Sequence, residues 1–212
     1  MTAVHVTLAR PDAVRRSRRL NRQTIGWNVA EGVIAVIAGM VAGSVSLIGF
    51  GLDSGIEVSA AVILAWRLSK ERAGGCMEDF DRRATRLIAA SFAALAVYVA
   101  VESSRDLIGG SAPEVSPVGT ALAAVSLAVM PVLARGKRRL APVLGSRAAM
   151  SEANQTSLCA LLSGVVLAGL GLNALFGWGW ADPVAGLVIA AIAGREAVRT
   201  WRAETLADTC CA

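Results

Sequence analysis

The chain has 212 residues, 55% of them hydrophobic and 17% charged, with a mean hydropathy of +0.56 and a formal net charge of +5. So much apolar surface excludes a water-soluble enzyme of ordinary composition. Six windows nearly free of Lys and Arg, each long enough to cross a hydrocarbon core about 30 Å thick, consume most of the chain and leave no room for a sizeable soluble domain.

In chain order, residues 1–23 form a basic arm carrying Arg10, Arg15, Arg16, Arg18, Arg19 and Arg22. No short apolar stretch with a small-residue cleavage site precedes the first span, so a cleaved signal peptide is not expected. The first predicted span, Thr24–Val41, holds Asn28 and Glu31, and its Gly39 and Gly43 have the spacing that admits a close neighbouring helix. Ser46–Trp66 follows with Asp53 and Glu57, then a basic connection from Arg67 to Arg86 that contains Cys76. The third span, Leu87–Ser103, ends beside Glu102 and leads to the turn signal Gly109, Gly110, Ser111, Ala112 and Pro113. In the fourth, Val118–Ala134, Pro131 predicts a kink. A connection with Arg135, Lys137, Arg138, Arg139 and Arg147 opens the fifth, Ala149–Leu175, which holds Glu152, Asn154, Gln155 and Cys159. Gly177 and Gly179 mark the turn to the sixth, Ala181–Val198, and residues 199–212 are a short tail with Cys210 and Cys211.

Only closed hydrogen bonding satisfies a backbone in lipid, and these segments lack the alternation of barrel strands, so each reads as a helix. If the six spans alternate, nearly all the basic residues fall on one side, with Arg105 opposite. That asymmetry is a topology signal rather than a nucleic-acid surface, and it predicts an all-α membrane protein, a six-helix bundle over 24–198 with both termini cytoplasmic. The arm is also suited to anionic lipid headgroups. Cys76, Cys210 and Cys211 then face a reducing compartment and Cys159 lies within a span, so no disulfide framework is expected. His5, the one histidine, belongs to the arm and reads as a bystander.

The chemistry sits in the polar groups inside the spans. An acidic side chain near the bilayer centre costs about 2.5–3.5 kcal/mol on insertion scales. No Lys or Arg falls deep within any predicted span, so the compensation expected is protonation, hydrogen bonding to a neighbouring helix, or a bound cation. Asp53 and Glu57 are four residues apart, as are Gln155 and Cys159, and such pairs share a helix face. At about 1.5 Å of rise per residue, depth arithmetic sets Asp53 opposite Cys159 and Glu57 opposite Gln155. The four can form a cage for a divalent ion, with Asn28, Glu31 and Glu152 as a vestibule nearer the inner edge. A thiolate tilts the preference toward zinc-like or softer ions. Beside this stand plainer readings, in which the carboxyls are protonated interhelical bonds, Gln155 is interhelical glue and Cys159 is packing.

The stretch Ser44-Val-Ser-Leu-Ile-Gly-Phe-Gly-Leu-Asp53-Ser-Gly-Ile-Glu57 resembles the second helix of the cation diffusion facilitator family, in which three residues separate two acids. Glu152-Ala-Asn-Gln155-Thr-Ser-Leu-Cys159 takes the register of that family's fifth helix, with Gln155 and Cys159 in place of its usual ligands. Ala181-Asp182-Pro183-Val-Ala-Gly resembles the opening of its sixth helix and Trp27-Asn28-Val-Ala-Glu31-Gly its first. The likeness covers about residues 20–205, without the family's C-terminal cytoplasmic domain. It implies a six-helix transporter with a four-ligand site between the second and fifth helices. The expectation is therefore a secondary transporter, not an enzyme, in a cell membrane of the bacterial inner type. It exports a divalent transition metal (zinc, or cobalt or cadmium) by proton antiport with alternating access. Its partners are the metal ion, protons and lipid, with no resident cofactor, no nucleic acid and a homodimer left open. The alternative is a non-transporting membrane protein, a metal-binding regulator or helical partner.

Overall fold

A computed structural model describes residues 10–71, 78–110, 112–144 and 147–203. Among these residues the chain forms six helices and no strand: α1 (Arg10–Ala42), α2 (Val45–Glu71), α3 (Glu78–Gly109), α4 (Pro117–Leu144), α5 (Arg147–Phe176) and α6 (Ala181–Ala203). Helices α1 to α5 are long and apolar enough to cross a membrane. The sixth, 23 residues long, carries Asp182, Arg195, Glu196 and Arg199 and is not among them. The protein is thus an all-helical chain with the character of a multi-pass membrane protein. The helices overrun the predicted spans. The boundary after residue 23 falls inside α1, so the basic arm from Arg10 onward and the first span are one helix. Likewise α4 continues unbroken through Pro131 and Pro142 and takes in the first residues of the predicted basic connection.

Helices pack as neighbouring pairs, α1 on α2, α4 on α5 and α3 on α6, with α2 also touching α5 and α6. The span of α2 is 61% buried, against 28–44% for the spans of α1, α3, α4 and α5, so α2 is the central helix. One apolar cluster lies on one side of it, built from Ala35, Leu47, Phe50, Met130, Leu162 and Val166. A second, with Val45, Phe92, Leu95, Val99 and Ala193, joins α2 to α3 and α6. Residues that face neither cluster, such as Val33, Ile37, Met40 and Val97, are exposed apolar side chains of the kind a lipid-facing surface requires.

Absent side chains set the α1–α2 contact. A Cβ on Gly51 would come within 3.0 Å of the Gly32 carbonyl and 2.8 Å of Val36 Cγ2, and a Cβ on Gly39 would meet Ile48 N at 2.9 Å. The Gly39/Gly43 pair therefore divides its work. Gly39 admits α2, whereas Gly43, at φ 65°, turns the chain out of α1. The Ser44 amide then donates to the Gly39 carbonyl at 2.9 Å, closing the helix end in the usual left-handed glycine cap.

Polar bonds tie together the end at which α1, α3 and α5 finish. The Glu114 amide donates to the Ala42 carbonyl at 2.8 Å, and Asn173 Nδ2 donates to the Pro113 carbonyl at 2.9 Å. Asp182, fully buried in the first turn of α6, accepts from Ser44 Oγ at 2.7 Å and from Ser46 Oγ. A carboxylate there also meets the positive end of the α2 helix dipole. Replacing Gly51 by Leu should push α1 from α2 and destabilise the protein by about 1–3 kcal/mol. Thermal unfolding in detergent measures this, and an unchanged midpoint would contradict the backbone contact.

Candidate functional site

The close α1–α2 contact brings the polar residues of α1 onto the acidic face of α2. None of Asn28, Glu31, Asp53 and Glu57 is more than 6% exposed. Glu31 is the most connected: its Oε2 accepts from Ser54 Oγ at 3.0 Å and from Cys159 Sγ at 3.6 Å, and its Oε1 accepts from Trp27 Nε1 at 3.2 Å. Three helices thus meet at one carboxylate, α1 supplying it, α2 a hydroxyl and α5 the thiol. Cys159, wholly buried, lies within electrostatic reach of Glu57, Glu31 and Asp53.

Glu57 is held differently. Thr156 Oγ1 of α5 donates to its Oε1 at 2.9 Å, and Lys137 Nζ of α4 donates to Thr156 Oγ1 at 3.0 Å. Lys137 is only 7% exposed. This corrects the expectation that no basic residue reaches the interior. Helical side chains lean toward their own N-terminus. For Lys137, seven residues before the end of α4, that direction carries the ammonium back along the bundle.

The expected cage is accordingly redistributed. Asp53 and Glu57 share the buried face of α2, and Cys159 joins them from α5, where its hydrogen bond goes to Glu31. The hydroxyl that bonds Glu57 belongs to Thr156, one residue on from Gln155, and Gln155 is half-buried. Depth arithmetic finds the level on α5, but successive residues of a helix point about 100° apart, and depth says nothing about that angle. Glu31 and Asn28 are part of the buried cluster rather than a vestibule before it. The backbone of Glu152 belongs to α5, and its side chain lies outside the described residues. So do His5, Cys76, Cys210, Cys211 and the side chains of Glu78, Asp79 and Asp81. Glu102 pairs with exposed Arg105 at 2.7 Å, away from the cluster.

Several buried polar atoms in the cluster lack a hydrogen-bond partner: both side-chain atoms of Asn28, Glu57 Oε2 and Ser126 Oγ. Asn28 lies toward Glu57 and Ser126 toward Glu31 without reaching bonding geometry. Buried polar groups are seldom left so, and carboxylate, amide, hydroxyl and thiol together make a donor set that suits a cation of borderline softness. Among the described residues, no three His, Cys, Asp or Glu side chains are grouped closely enough to close around one metal ion. No protein-family model matches the chain, and a search of curated proteins found no match.

Thr156→Val keeps the side chain's shape and removes the bridging hydroxyl. It leaves Glu57 Oε1 and Lys137 each short of a buried bond, at a cost of about 1–3 kcal/mol per group. Gln155→Ala leaves the Lys137, Thr156 and Glu57 chain intact and should cost less. Unfolding midpoints of the two variants in one detergent give the comparison, and the reverse order would refute the bonding assigned to α5.

Proposed function

We propose that the protein is a secondary transporter that moves a divalent transition-metal cation, zinc or cobalt or cadmium, out of the cytoplasm in exchange for protons. One observation carries the reading: acidic groups of α1 and α2 and the thiol of α5 are gathered in a single buried cluster between helices of membrane-spanning character. Sequestering three carboxyls in such a place is expensive, and a cation cargo explains both the expense and the unpartnered atoms around it. Metal binding needs deprotonated ligands, so protons and metal compete for the same oxygens, which is the chemical basis of antiport. In this reading six helices cross the membrane, both termini are cytoplasmic, and the bundle alternates its access around a central site.

Aromatic placement supports a bundle that spans the membrane. Phe176, Trp178 and Trp180 form an exposed ladder with ring centroids 5.3 Å apart at the α5–α6 turn, and Trp201 near the other end of the bundle lies 5.8 Å from the Arg86 guanidinium. Tryptophans collect at membrane–water interfaces, so these two groups suit opposite faces of one bilayer. The alternative, a non-transporting membrane protein whose acids are structural, is favoured by the bonds that Thr156 and Lys137 already bring to Glu57.

Metal flux into vesicles containing the purified protein separates the two readings. Asp53→Ala should abolish flux while the protein stays folded; full zinc or cadmium flux in that variant would remove the site. Cys159→Ser should weaken cadmium binding more than manganese binding, because a thiolate selects softer ions, and an unchanged cadmium-to-manganese ratio would exclude the thiol as a ligand. A reporter fused after Ala212 should register on the cytoplasmic side.

A further inference from the structure

We infer that Lys137 is a resident counter-cation of the acidic cluster, held against Glu57 through Thr156, and that its charge lowers the affinity for an incoming metal so that the cargo can be released. The inference rests on the transport reading and adds the element that governs discharge. Its basis is a chain of hydrogen bonds. The Thr156 hydroxyl donates to Glu57 Oε1, and its oxygen accepts from Lys137 Nζ. All three residues are buried, and they come from three helices, α4, α5 and α2. Arg138, also on α4, reaches α5 on the exposed side, where it bonds Asn154 Oδ1 at 3.5 Å.

A buried lysine is costly unless an anion is close. The acids that act on Glu57 and its surroundings are Asp53 on the same helix, Glu31 on α1 and, toward Asp53, Glu196 on α6, while Lys137 acts on Glu57 as a cation. Glu57 is engaged through Oε1, and its Oε2 remains without a partner. A divalent ion approaching Oε2 therefore meets a fixed positive charge beyond the far oxygen, and a doubly charged ion feels that repulsion twice as strongly as a proton does. Without Lys137 the carboxylates would hold a divalent ion more firmly. With it, the carboxylate stays compensated when the cargo leaves.

The test uses the full-length protein in detergent and in vesicles, with cadmium as the probe. Lys137→Met should bind cadmium at least about tenfold more tightly, the lower bound for losing a unit charge at this range, and its maximal flux should fall because release slows. Lys137→Arg, which keeps the charge, should stay near the wild type in both. A merely structural role predicts weaker or unchanged binding in Lys137→Met and overturns the inference. Should that variant fail to accumulate, Lys137→Gln, which keeps a donor for Thr156 without the charge, serves the same comparison. Without metal, Lys137→Met should lower the unfolding midpoint by about 5 °C or more, and adding Glu57→Gln should restore most of it. Strictly additive midpoints would show that the two residues are not paired. If the wild type neither binds nor moves cadmium, the transport reading falls, while the metal-free cycle still decides the pairing of Lys137 with Glu57.

Discussion

Contact between α1 and α2 without intervening side chains is the constraint on which the rest of the molecule depends. Gly32 and Gly51 bring the two backbones so close that a Cβ on either would lie only 3.0–3.1 Å from the carbonyl oxygen of the other. In lipid there is no hydrophobic drive to join helices, so close packing of small residues does much of that work. The consequence is chemical as well as mechanical. Ser54 lies one turn below Phe50, whose carbonyl it bonds, and at this helix separation its hydroxyl also reaches Glu31 across the interface. Set the helices farther apart and Glu31 would lose its α2 partner.

Burying acids has two different solutions in this one cluster. Glu31 is satisfied by neutral donors, an indole, a hydroxyl and a thiol, each from a different part of the bundle. Glu57 is held at Oε1 by a hydroxyl backed by an ammonium. A third solution appears at the end of the bundle, where Asp182 takes two serine hydroxyls at the start of α2. The Asp182 arrangement is built like a staple, short and local to two helix ends. The central arrangement leaves atoms of Asn28, Glu57 and Ser126 unbonded, as the staple leaves Asp182 Oδ2.

Because α2 touches α1, α3, α5 and α6, any tilt of this helix changes the cluster and both apolar cores at once. Asp53 and Glu57 ride on that helix. The bonds of Asp182 secure the N-terminal end of α2.

Much of the architecture was legible from residue order alone. Runs of apolar residues set the number and approximate place of the helices, because a backbone in lipid has few ways to satisfy itself. The acids were conspicuous for the same reason: Asp53, Glu57 and Glu31 stand out in segments that exclude charge. The tertiary structure decided which of them meet. Linear spacing gives depth along each helix, yet the angle about each axis depends on packing, and so Thr156 rather than its neighbour Gln155 bonds Glu57, and Cys159 turns to Glu31. Lys137 was hidden for a related reason. In sequence it sits among Arg135, Arg138 and Arg139 as part of a basic connection, and only the continuation of α4 past Ala134, with the backward lean of a helical side chain, carries its ammonium into the bundle.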